Sequence, residues 1–186
     1  VGEPELLLPG KLADQRAKFT PQQLSDLAEA DLVFIIGEGL EAKLSQLSGS
    51  EAVNGKRFVE LALAPGIKTL PIREGGAWDA HEHEENGHDH GEHAEAPGVL
   101  RFDPHVWLDP FNAQIMAAAV AQELGRADPP NAALYLANAN RFSVALEQDM
   151  GAIAQDLAPV KEKPFVVFHD AFQYFETRFG LTGAGS

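Results

Sequence analysis

The sequence of 186 residues carries seven histidines, His81, His83, His88, His90, His93, His105 and His169, and no cysteine. Imidazole can relay a proton or donate a nitrogen lone pair to a metal. The absence of cysteine removes disulfides, thiolate zinc sites and thiol nucleophiles together. Any metal chemistry must therefore use nitrogen and oxygen donors.

Five of the histidines cluster. Residues 77–96 hold five His and seven Asp or Glu, with no Lys or Arg. Neutral imidazole suits zinc, copper and nickel, and carboxylates alongside raise the local cation concentration. Secondary, weak metal sites are expected at His81, His83, His88, His90 and His93. The alternative is a solvated acidic linker in which histidine is incidental. The run His88-Asp89-His90-Gly91-Glu92-His93 resembles the H-x-H-x-D-H signature of metallo-β-lactamase-type hydrolases, with Glu92 in place of Asp. That motif works when a rigid strand presents it, and Glu84-Glu85-Asn86-Gly87 before it does not read as a buried strand. No H-E-x-x-H is present.

The other two histidines stand alone, each at the end of an apolar run. His105 lies in Phe102-Asp103-Pro104-His105-Val106-Trp107-Leu108-Asp109-Pro110, bracketed by two Asp-Pro pairs that fix turns. His169 follows Phe165-Val166-Val167-Phe168 and precedes Asp170. Either one alone is also consistent with a satisfied histidine, His105 packed under Trp107 or His169 half-buried. Taken together they are two strand-end imidazoles on opposite sides of a long helix, where α/β folds place binding groups.

The elements that must position them alternate. Glu5–Leu8 reads as a short buried strand. Thr20 caps a helix that opens on Pro21. Leu32–Ile36 is a continuous apolar run closed by Gly37, expected as a strand buried on both faces. A helix covers about 40–47, Phe58–Leu61 is ambiguous, and Ile67–Ile72 reads as a third strand. Residues 75–98 break this rhythm as an acidic insertion. Asp109-Pro110 opens a helix, and Asp128-Pro129 a second that runs to about Pro159. Pro164–Phe168 then reads as a buried strand. Strands alternating with helices imply an α/β fold with mostly parallel sheets.

Composition sets the remaining bounds. Twenty-eight acids against 14 Lys and Arg give a net charge of -14. No basic stripe invites nucleic acid, and cations are better partners than anionic surfaces. No apolar run approaches the roughly 18 residues of a membrane span.

At Asp103–Pro110, at Phe168-His169-Asp170-Ala171-Phe172-Gln173-Tyr174-Phe175, and at Ala30-Asp31-Leu32-Val33 with Gly37 and Leu40-Glu41, the chain resembles the zinc-uptake solute-binding proteins of bacterial ABC transporters, the ZnuA type of the cluster A-I zinc/manganese family. The acidic His-rich insertion before the first block is typical of zinc members. The resemblance implies two α/β lobes with mostly parallel sheets, joined by a long rigid helix and holding metal between them. It divides the chain into an N-lobe (1–127, with the insertion 75–98), a connecting helix (128–159) and the beginning of a C-lobe (160–186). The start of the N-lobe and the end of the C-lobe are expected to be missing.

The resemblance also implies His105 and His169 as ligands of Zn²⁺. Manganese-type members tend to carry Glu where His169 stands, and imidazole is the donor better suited to zinc. A further family histidine belongs in the loop after Pro9-Gly10. Here that position falls near Gln15, with Asp14 as the only acidic substitute among Lys11, Arg16 and Lys18. The implied function is zinc capture in the periplasm and delivery to an ABC permease at the inner membrane, without catalysis. A periplasmic zinc chaperone is a possible second partner; nucleic acid and membrane insertion are not expected. The chain begins at Val1 and is read as processed or trimmed, and the resemblance implies an exported protein whose signal peptide is not in this chain. Two alternatives remain: a metal-dependent hydrolase, for which Asp170 is the acid beside a strand-end histidine, and a zinc buffer or surface adhesin.

Overall fold

A computed structural model describes residues 4–8, 19–47, 57–73, 78 and 102–186. The chain order is α1 (Pro21–Glu29), β1 (Leu32–Ile35), α2 (Glu38–Leu47), β2 (Arg57–Glu60), α3 (Pro110–Ala127), α4 (Ala132–Leu157), β3 (Phe165–Val166), α5 (Gln173–Phe179) and β4 (Gly183–Gly185). The architecture is α/β with two small parallel sheets, β1 beside β2 and β3 beside β4. Among the described residues, no helix is long and apolar enough to cross a membrane.

Local chemistry explains the first unit. Thr20 Oγ1 accepts from the Gln23 amide and the Gln23 side chain accepts from the Thr20 amide, so two orphan N–H groups are satisfied where α1 begins. Pro21 fills a position whose N–H would have no partner anyway. In β1, Val33 and Ile35 are buried while Leu32 and Phe34 are half-buried. One face thus enters a core of Leu27, Val33, Ile35 and Leu44, and the other is only partly covered, short of the two-sided burial expected. Phe58 and Val59 resolve as part of β2, followed by a 3₁₀ turn at Leu61–Leu63.

The helical half begins at Asp109, which caps α3 by accepting from the Phe111 amide. Asp128 does not cap α4 in the expected way. A 3₁₀ turn at Pro129–Asn131 intervenes, and the Asp128 carboxylate accepts from the Asn131 side chain and the Tyr135 hydroxyl. Those two bonds hold its pKa below the ordinary carboxylate value. α4 spans 26 residues, roughly 39 Å at 1.5 Å per residue. It packs on α3, yet Leu134, Leu136, Phe142 and Val144 are exposed, and Tyr135 is its one buried residue.

Three expected strands differ. Residues 5–8 form no strand, and Leu6 is exposed. Residues 67–72 form no strand and, among the described residues, make one antiparallel bridge, Pro71 to Phe102; Pro71 cannot donate to a ladder. The expected buried strand at 164–168 shortens to two residues, with Val166 77% and Phe168 101% exposed. Its ladder partner β4 is three residues long.

A second core gathers Ala62, Val106, Met116 and Tyr174, with Ile36, Leu70, Phe102 and Trp107 packed against it. Tyr174 comes from α5, so the segment that follows His169 shares a core with the segment that follows His105.

Candidate metal site

His105 is placed by its own turn. The Asp103 Oδ1 accepts from the His105 amide at 2.9 Å and lies 2.7 Å from His105 Nδ1. Pro104 between them fixes the bend. Val106–Leu108 then form a 3₁₀ turn, and the Trp107 ring lies 5.4 Å from the His105 ring. Asp103 and His105 are both buried. A carboxylate can only accept, so Nδ1 carries the proton and Nε2 keeps its lone pair facing outward.

Asp103 is itself held from two sides. Its amide donates to the Leu70 carbonyl at 2.9 Å, and its carbonyl accepts from the Tyr174 hydroxyl at 2.7 Å. The same Tyr174 oxygen accepts from the Leu70 amide at 2.9 Å. Burial is the main reason that the Tyr174 pKa is pushed up to about 12, with the charges of Asp103 and Asp109 adding to it against the bond from Leu70. Asn112 sews the same region together: Oδ1 accepts from the Lys68 amide, and Nδ2 donates to the Lys68 and Val106 carbonyls.

His169 arrives from the other side, in a bend after β3, and is exposed. Its Nε2 lies 3.4 Å from His105 Nε2, with the rings edge-on at 72°. Two nitrogens bound to one zinc at about 2.0–2.1 Å in tetrahedral geometry sit about 3.3 Å apart. The pair therefore has the spacing of two ligands on one ion, with the His105 Nε2 lone pair turned toward His169. Among the described residues, no third His, Cys, Asp or Glu joins them in a metal-holding group.

Two further buried acids are engaged elsewhere. Asp170 and Glu176 are buried, and both bind Arg73. Arg73 Nε donates to Asp170 at 3.1 Å, and its Nη1 donates to Glu176 at 2.6 Å; Nη2 donates to both carboxylates. The guanidinium lies 3.6 Å over the Trp78 ring. Burial works against its charge, but the bonds to Glu176 and Asp170 outweigh this and hold its pKa above the ordinary value. Arg178 likewise forks onto Asp109 and stacks on Phe111.

Of the residues singled out in the sequence, His105 and His169 are brought together. His81, His83, His88, His90, His93, Asp14 and Gln15 lie outside the described residues. Sequence reasoning missed Arg73, Glu176 and the hydroxyl of Tyr174. Arg73 partners residues 97 and 103 positions away, and no local spacing signals that.

A family profile described as "Zinc-uptake complex component A periplasmic" matches residues 2–186. The chain belongs to this ZnuA family. It is 36% identical to a high-affinity zinc uptake system protein ZnuA of Brucella abortus (strain 2308), with all of this chain and 61% of the relative aligned. Identity is 32% with the protein of that name from Yersinia pestis, over 97% of this chain and 57% of the relative. A crystal structure of a ZnuA deletion mutant with zinc bound superposes with a TM-score of 0.71 at 29% identity, over 95% of this chain and 58% of that one. The chain thus spans about three fifths of the length of these relatives.

Proposed function

We propose that this ZnuA-family chain captures Zn²⁺ between His105 and His169 as a solute-binding component of zinc uptake. The observation that carries this reading is the 3.4 Å Nε2–Nε2 separation, which matches two imidazoles on one tetrahedral zinc. The family description and the names of the relatives support the choice of ion. Water, or groups outside the described residues, would complete the coordination, with Gln15 and Asp14 as the candidates in the early loop.

The protein would work in the periplasm and hand its ion to an ABC permease, with a periplasmic zinc chaperone as a further partner. It would do so without catalysis. Its zinc is cargo, held by an N-lobe (1–127) and a C-lobe beginning at 160, with the helix of 128–159 between them. The five histidines at 81, 83, 88, 90 and 93 would gather extra zinc weakly.

The test is a zinc titration of the chain against a strong chelator, repeated with His105→Ala/His169→Ala. The wild type should bind one zinc tightly and the double variant should lose that event. Equal affinity in both would overturn the assignment, and hydrolytic turnover of ester or lactam substrates would favour the hydrolase alternative. Because metal binding displaces protons from its ligands, affinity should fall as pH is lowered.

A further inference from the structure

The charged groups around the histidine pair are distributed in a way that zinc capture alone does not require. Three buried carboxylates surround the pair in sequence: Asp103, two residues before His105; Asp170, one residue after His169; and Glu176, on the first turn of α5. All three are committed. Asp103 holds His105 Nδ1. Asp170 and Glu176 share the guanidinium of Arg73, whose side chain is only 18% exposed. That guanidinium is clamped from the opposite face by Trp78. Gly183 of β4 closes the pair: a Cβ there would come within 2.8–2.9 Å of the Glu176 carboxylate and of Trp78.

We infer that Arg73 is a specificity-determining positioning residue: by occupying Asp170 and Glu176 it withholds carboxylate oxygen from the site and leaves imidazole nitrogen as the donor. The inference rests on the zinc reading above and deepens it. Imidazole favours zinc, whereas carboxylate oxygen favours manganese and other hard cations. A planar fork binds two carboxylates at once, which an ammonium cannot reproduce with the same geometry. Remove the fork, and Asp170 becomes an uncommitted buried anion next in sequence to a ligand. A buried carboxylate that has lost its partner is costly, and an ion held at His169 offers it a new one. The site would then change from two nitrogens to a mixed nitrogen–oxygen set.

The experiment measures Zn²⁺ affinity by chelator competition and Mn²⁺ affinity by the paramagnetic resonance of the free ion. Arg73→Gln should lower the zinc-to-manganese affinity ratio at least tenfold, and Arg73→Lys should lower it less. Because Arg73→Gln strands two buried charges and can fail to fold, Arg73→Gln/Glu176→Gln provides a second route. It keeps the local net charge at −1 and still frees Asp170, so the ratio should again fall. Adding Asp170→Asn to that double variant should restore the wild-type ratio.

A ratio that stays constant while both affinities fall in parallel would make Arg73 a purely structural residue and overturn the inference. So would a low ratio that Asp170→Asn leaves unrestored. If the wild type bound zinc no better than His105→Ala/His169→Ala, the zinc reading would fall as well; a constant ratio in a chain that does bind through the histidines defeats only the role of Arg73.

Discussion

His105 and His169 meet tip to tip, yet the molecule holds them in different ways. His105 is buried, bonded twice to Asp103, and backed by a chain of bonds through Leu70 and Tyr174. His169 is exposed, follows a two-residue strand, and stands beside a residue fixed by Arg73 from a distant part of the chain. In the proposed metal site, one half would be set before metal arrives, and the exposed half would be the one to adjust. A capture protein gains from this division. A preorganised first ligand lowers the ordering cost of binding, while an adjustable second ligand lets the ion enter and leave.

The largest effect should come from breaking the preset half. His105→Ala is expected to weaken zinc by well over 100-fold, since loss of a partner behind a ligand already costs about 10–100-fold. His169→Ala should cost less, because a single oriented imidazole survives. Chelator competition on both variants ranks them, and the reverse order would invert the comparison.

Next is Asp103→Asn, which keeps the shape but removes the charge behind His105. Zinc affinity should drop about 10–100-fold, with the melting temperature moving far less than for Asp103→Ala.

Tyr174→Phe should act mainly on stability. It strands the Leu70 amide and the Asp103 carbonyl, at a cost of about 1–3 kcal/mol. The folded Tyr174 pKa, about 12, lies above the ordinary tyrosine value of about 10. The stability tied to this hydroxyl is therefore complete below pH 10 and is lost as pH rises from about 10 to about 12. Denaturant titrations across that range should slope downward in the wild type, and less so in Tyr174→Phe. Equal slopes would place the tyrosine outside the linkage.

The smallest effect on the tight site should follow deletion of residues 79–95. Total zinc stoichiometry should fall while the tightest affinity stays nearly unchanged. A collapse of that affinity would make the loop histidines primary ligands.

Where sequence and structure agree, the signal is local. Thr20-Pro21 with Gln23 announces a capped helix, and Asp109-Pro110 another, because a cap is decided within four residues. The pairing of His105 with His169 came from two strand-end positions and a family resemblance, since 64 residues separate them. Strand length was least legible. The apolar run 164–168 looks like a core strand, but burial depends on what covers it, and Phe168 is bare. Residues 67–72 looked like a strand as well, and Pro71 limits them to a single bridge. Arg73 gave no warning, because one arginine beside an acidic tract looks like a solvated charge until its partners are seen in space.

The seam between residues 68–71 and 102–112 has one more consequence. The Lys68–Asn112–Val106 bonds, the Leu70–Asp103 bond and the Pro71–Phe102 bridge fasten together the two ends of the 28-residue stretch 74–101. Once a loop's ends are fixed by the body of the protein, its length enters only through closure entropy, about 0.6 kcal/mol for each doubling. A change in the length of the stretch would therefore add little closure cost to the fold. In the proposed reading, mutation could then vary its histidine count while the pair at His105 and His169 stays fixed.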